Sequence, residues 1–128
     1  MSNKGKYRDK QKSSQKGNIK IDRSKEIHDR PMRVIALKTL RDFWSLHADA
    51  EQPLKAWYQE AKDSRWRTPN DIKRDFPSAD IISGNRVVFN IKGNTYRLIV
   101  KIHYNTGIVY IRFLGTHAEY DKIDAENI

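Results

Sequence analysis

No cysteine occurs in the 128 residues. Disulfide staples and thiolate chemistry are thereby excluded, and a reducing compartment is permitted. No apolar run approaches the roughly 20 residues that a membrane-spanning helix needs. The basic N-terminus is not followed by the apolar stretch that marks a secretory signal. The expectation is a soluble, cytoplasmic protein that makes no membrane contact. Phosphate-binding P-loops, GxGxxG fingerprints, CxxC pairs and HExxH motifs are all missing, and there is no internal repeat. The four histidines stand at 28, 47, 103 and 117, a spacing unlike that of a zinc site, so neither a metal nor a cofactor is expected.

What the chain does have is positive charge, unevenly placed. Lys and Arg number 25 against 16 Asp and Glu, a formal net charge of +9. Residues 1–31 hold ten of the basic and four of the acidic residues (+6), so the remaining 97 residues carry only +3. The first 31 residues are polar and Lys-rich, with Tyr7, Ile19, Ile21 and Ile27 as their only large apolar side chains after Met1. Such a segment buries too little apolar surface to offset its ordering entropy. It reads as a disordered tail with at most a short strand over residues 18–22. It is either a basic arm for nucleic acid or a simple extension. Residues 32–128 read as one compact domain.

Within that domain the apolar spacing switches from helical to alternating. Residues 32–36 suggest a first strand. Leu40, Phe43, Trp44, Leu46 and His47 then fall at helical spacing. So do Leu54, Trp57, Tyr58 and Ala61 in a second helix, whose first turn accommodates Pro53. A loop near Ala48 and Asp49 would join them as a helical hairpin. Thr68 followed by Pro69 and Asp71 marks the start of a third helix, which must end by Phe76 because Pro77 follows. Asp80, Ile81 and Ile82 form a short extended piece. Residues 119–127 suggest a short terminal helix.

The stretch from Arg86 to Tyr120 reads as three strands. One face carries Val87, Phe89 and Ile91, then Tyr96, Leu98, Val100 and Ile102, then Val109, Ile111 and Phe113. The other carries Arg86, Val88, Asn90 and Lys92, then Arg97, Ile99, Lys101 and His103, then Ile108, Tyr110, Arg112 and Leu114. Gly93-Asn94 and residues 105–107 are the expected turns. Helices covering the apolar face give an α+β fold, with N-terminal helices on one side of a small, mainly antiparallel twisted sheet. Cations gathered on the other face against their mutual repulsion suit an anionic partner. A solvated outer face accounts for the alternation equally well.

These residues are also the ones that RNA cleavage without a metal requires. That reaction needs a base for the ribose 2′-hydroxyl, cations for the charge growing on the phosphate, and an acid for the departing 5′-oxygen. His117 is the titratable candidate, since imidazole changes charge near neutral pH. Arg97, Lys101 and Arg112 are candidates for the phosphate, with Lys92 and Arg86 beside them. Tyr120 could stack on substrate, Asp121 could orient His117, and Trp66, between Arg65 and Arg67, could stack on a base. A surface or capping histidine and a core tryptophan are the plain alternatives.

The segments FPSAD, FNIKGNTYRL and GTHAEYD, within the order of elements from residue 32 to residue 123, resemble the HigB-type mRNA interferase toxins of the RelE-like superfamily. The resemblance implies a RelE-like fold and endoribonuclease cleavage of mRNA on the translating ribosome. It also implies neutralisation by a helix-turn-helix, HigA-like antitoxin, with higher-order assembly on operator DNA. It places catalytic roles on Arg97 in TYRL, Arg112 in YIRF, and His117 with Tyr120 in GTHAEY. Lys92 and Lys101 match less closely, and residues before Met32 lie outside it. A non-catalytic RNA- or ribosome-binding module is the alternative that the same cations allow.

Overall fold

The computed structural model describes residues 30–128. The suggested strand at 18–22 and the rest of the tail before Arg30 lie outside the described residues. The elements run β1 (Arg33–Ile35), α1 (Leu37–Leu46), a 3-10 turn (Ala48–Ala50), α2 (Glu51–Asp63), α3 (Pro69–Asp75), β2 (Asp80–Ile82), β3 (Arg86–Ile91), β4 (Tyr96–His103), β5 (Ile108–Thr116) and α4 (His117–Tyr120). The five strands form one sheet in the order β1-β5-β4-β3-β2. Strand β1 joins β5 in parallel, and the other three pairings are antiparallel. With α1, α2 and α3 gathered over one face of this sheet, the expected α+β, RelE-like architecture is the one observed. No described helix is long and apolar enough to cross a membrane.

The core lies between the helices and the sheet. Leu40, Leu54, Trp57, Ala61 and Ile72 meet Val87, Phe89, Ile91, Leu98, Val100 and Ile102, all buried. Its centre is an aromatic cluster. Trp66 stacks on Phe89 at 6.0 Å between ring centres, and Phe76 meets Phe89 edge-on at 5.0 Å. Each such ring pair is worth about 0.5–1.5 kcal/mol beyond the area it buries. Leu46 falls outside the stripe it was expected to join and is 83% exposed. The third helix begins as its sequence dictates, with Thr68 and Asp71 forming a reciprocal capping box and Pro69 in the first turn.

Two departures from strict alternation change what the sheet presents. First, a bulge interrupts the pairing of β4 with β5. Val100 faces Ile111 but Ile99 faces Phe113, leaving Arg112 with no β4 partner. The extra residue reverses the expected faces beyond it. Leu114 packs toward the helical core, while Phe113 moves to the far side with Ile99. Second, the far face is not an open surface. Val88 and Ile99 are 1% and 0% exposed yet lie outside the helix-side cluster. Ile123, Ala125 and Ile128 of the final segment are each half-buried, and Arg86 donates from Nε to the Ile128 carbonyl oxygen at 3.0 Å. The final segment therefore reaches back to the β3 side of this face. It holds only the single helical turn of α4, in place of the helix suggested over residues 119–127.

Candidate active site

The hairpin from β3 to β4 turns at Gly93-Asn94 as expected, closed by the Thr95 N–H donating to the Lys92 carbonyl oxygen at 3.1 Å, with the positive φ falling on Lys92 (+53°) and Gly93 (+62°). Lys92 is thereby rotated off the sheet face to which alternation assigned it. Its Nζ lies 2.6 Å from Asp49 at the helical turn, and the Tyr96 hydroxyl donates to the same carboxylate. The Lys92 hydrogen bond, and then that from Tyr96, holds the Asp49 carboxyl below the usual carboxylate range. The reciprocal effect raises the Tyr96 phenol, chiefly through its bond to Asp49. This brace pins the first residue of β4 to the helical layer and so fixes where the next residue, Arg97, begins.

Arg97 leaves the opposite face. Its neighbours across the strands are Asn90 on β3 and Gly115 on β5. A Cβ at Gly115 would meet the Phe113 ring at 2.6 Å and Glu119 Oε1 at 2.7 Å, so glycine lets both close over the strand end. Glu119 Oε1 accepts from the Thr116 N–H at 2.8 Å, and Thr116 Oγ1 accepts from the Glu119 N–H at 3.1 Å. The capping box T-x-x-E starts α4 directly from β5. The His117 N–H also donates to the Thr95 carbonyl oxygen at 3.2 Å, tying the turn to the start of β4.

This attachment brings four of the expected residues together. The Arg97 guanidinium carbon lies 5.5 Å from the centre of the Tyr120 ring. The His117 and Tyr120 rings are 6.5 Å apart, and His117 Nδ1 lies 3.1 Å from Asp121 Oδ2. Both members of that last pair are open to solvent. Asp121 is available to receive the Nδ1–H and leave Nε2 as the free basic nitrogen.

The remaining candidates do not join them. Lys101 shares the face of Arg97 but sits four residues further along β4, roughly 13 Å away. It stands in a row with Arg86 and Tyr110, and the Arg86 guanidinium is held by the final segment. Arg112 is exposed at the bulge. Lys92 is turned to Asp49. Trp66 is 1% exposed, stacked in the core, and donates from Nε1 to Asp75 at 2.9 Å. A base cannot reach it, so its expected stacking role is replaced by a structural one. Sequence reading missed the Thr116–Glu119 capping box, for which the T-x-x-E spacing was a usable signal. It also missed the Asp49 brace, for which there was none. Among the described residues no group of three or more His, Asp or Glu side chains is placed to hold a metal ion.

The comparisons agree with this architecture. Residues 50–123 match HigB_toxin, described as the RelE-like toxic component of a toxin-antitoxin system, and the chain belongs to that family. It is 29% identical over 96 residues to the mRNA interferase toxin HigB of Escherichia coli (strain K12), across 73% of this chain and 92% of the relative. The mRNA interferase HigB of Shigella flexneri shows the same identity and coverage. As a toxin of this kind, the chain has an antitoxin as its cognate partner.

Proposed function

We propose that this chain is an mRNA interferase, an endoribonuclease that cuts message on the translating ribosome by metal-independent acid–base chemistry. The observation that carries the reading is the convergence of Arg97, Tyr120, His117 and Asp121 where β4, β5 and α4 meet. Two relatives carry the name mRNA interferase, and the residues gathered at this point are those the cleavage needs.

In this mechanism Asp121 accepts the Nδ1–H of His117, and Nε2 takes the proton from a ribose 2′-hydroxyl. The 2′-oxygen attacks the adjacent phosphorus. Arg97, steadied against the Tyr120 ring, meets the negative charge that grows on the non-bridging oxygens. The bond to the 5′-oxygen breaks and that oxygen leaves with a proton, for which the Tyr120 hydroxyl is the donor on the same helical turn. The products are a 2′,3′-cyclic phosphate and a 5′-hydroxyl end. A helix-turn-helix, HigA-like antitoxin silences the toxin and carries the pair to operator DNA.

Mapping RNA ends after incubation with translating ribosomes tests the reading. New 5′-hydroxyl ends within message are expected. Ends bearing 5′-phosphates would indicate a metal-activated water in place of the 2′-hydroxyl. Ribosome binding without new ends would make the chain a non-catalytic RNA-binding module.

A further inference from the structure

Several side chains on the far face take no part in the His117 cluster. Strand β1 pairs with β5 so that Arg33 stands beside Ile108 and Ile35 beside Tyr110. Strand β5 pairs with β4 so that Ile108 stands beside His103 and Tyr110 beside Lys101. Residues paired across strands share a face. Val34 packs against the helix-side core, which puts its neighbour Arg33 on the opposite side. Arg33, His103, Tyr110 and Lys101 therefore lie on the same face as Arg97, at the other end of β4 and β5. His103 is exposed and meets Tyr110 edge-on at 5.0 Å. Beside this ring pair is an open groove of about 340 Å³, lined by Arg30, Pro31, Arg33, Thr106, Gly107 and Ile108. Arg33 is exposed.

We propose that this end of the sheet is a second RNA-contacting site, where a base of the single-stranded substrate packs on His103 and Tyr110 and its phosphates lie along Arg33 in the groove. The proposal rests on the RNA-cleaving reading above and extends it to the flanking nucleotides. An aromatic platform beside a guanidinium is the combination that holds single-stranded RNA: the rings take the base and the cation takes the backbone. His103 lies six residues beyond Arg97 along β4, roughly 20 Å, so a strand cut at His117 crosses several nucleotides to reach the groove. The route runs along β5 and β1, because Ile99 on β4 between the two ends is 0% exposed and the final segment is bonded to Arg86 on the β3 side. Binding energy gathered at the far end positions the scissile phosphate without touching it.

The test measures binding with cleavage switched off. His117→Ala protein is titrated against a fluorescein-labelled 12-nucleotide single-stranded RNA, with and without Arg33→Ala or His103→Ala added. A three-nucleotide RNA, too short to span both ends, serves as a competing ligand. Each added change is expected to weaken 12-mer binding three- to tenfold and leave the short competitor's affinity unaltered. Arg33→Ala is also expected to reduce the slope of log K against log salt by about 0.7. Unchanged 12-mer affinity overturns the proposal. So does an equal loss for both lengths, which marks a diffuse field or a disturbed fold. Wild-type protein is scored separately for new 5′-hydroxyl ends. If none form while the length-dependent loss persists, the nuclease reading falls and the second site stands.

Discussion

The Arg97 guanidinium carbon lies 5.5 Å from the centre of the Tyr120 ring, joining the middle strand of the sheet to the helical turn after the last strand. A guanidinium over an aromatic face gains about 0.5–1 kcal/mol at an exposed site. Here the gain holds a cation in place before substrate arrives. Arg97→Ala should lower the cleavage rate by about 10²–10³, the usual cost of removing one oxyanion-stabilising donor. Tyr120→Ala should cost more than Tyr120→Phe, which keeps the ring. Single-turnover cleavage, with circular dichroism as the folding control, makes the comparison. Equal losses from the two Tyr120 changes would mean that the hydroxyl, and not the ring under Arg97, is what matters.

Asp121 is separated from the substrate by His117, so its effect should pass through the imidazole. Asp121→Asn should reduce kcat about tenfold and leave KM unchanged. His117→Ala should cost between about 10² and 10⁴. In the His117→Ala background the Asp121 change should add nothing, because residues acting as a unit are not additive. Independent losses in the double variant would show that Asp121 acts on its own.

The Asp49 brace makes a prediction about acid stability. Its carboxyl is held below the ordinary range by the Lys92 and Tyr96 hydrogen bonds. A carboxyl depressed in the folded state stabilises the fold above its unfolded pKa, about 3.9, and that contribution is lost as pH falls through the folded value. Wild type should therefore melt above Asp49→Asn at pH 7, and the difference should shrink as pH falls below the unfolded value of about 3.9. Parallel melting curves at every pH would show that the brace contributes nothing through its charge.

Tyr104 carries the opposite dependence. Burial, and then the charge of Asp71, pushes its phenol up to about 12, and its hydroxyl has no hydrogen-bond partner among the described residues. A tyrosine raised in the fold loses its stabilising contribution as pH climbs from about 10 to about 12, where the unfolded chain ionises first. Tyr104→Phe should flatten that alkaline decline. At pH 7 it should be neutral or stabilising by about 1 kcal/mol, since it removes a buried group with nothing to bond. A clear loss of stability at pH 7 would reveal a partner for the hydroxyl.

Much of the fold could be read from local pattern. Leu54, Trp57, Tyr58 and Ala61 marked one helix, and Thr68 with Pro69 and Asp71 marked the start of another. Val87, Phe89 and Ile91 marked a strand with one buried side. Each depends on spacing within a single element, where geometry follows directly from sequence. Failures came where one element corrects another. Phe113 and Leu114 changed sides because an extra residue in β5 has to be absorbed against β4. Lys92 left its face because the turn needs positive φ at that position. Trp66, between two arginines, allowed either a stacking or a core role from sequence, and the packing against Phe76 and Phe89 gives it the second.

The site divides in the same way. The types and order of Arg97, His117, Tyr120 and Asp121 were written in the chain and were enough to suggest proton transfer beside a phosphate, because that chemistry depends on which groups are present. Which of the cations would meet them was decided only by the pairing of β3, β4 and β5 and by the turn of α4. That pairing drew in Arg97, left Arg112 at a bulge, bound Lys92 to Asp49, and set Arg33 and His103 at the far end of the same face. Side-chain distances across a sheet depend on register, and register is set by contacts between strands far apart in the sequence.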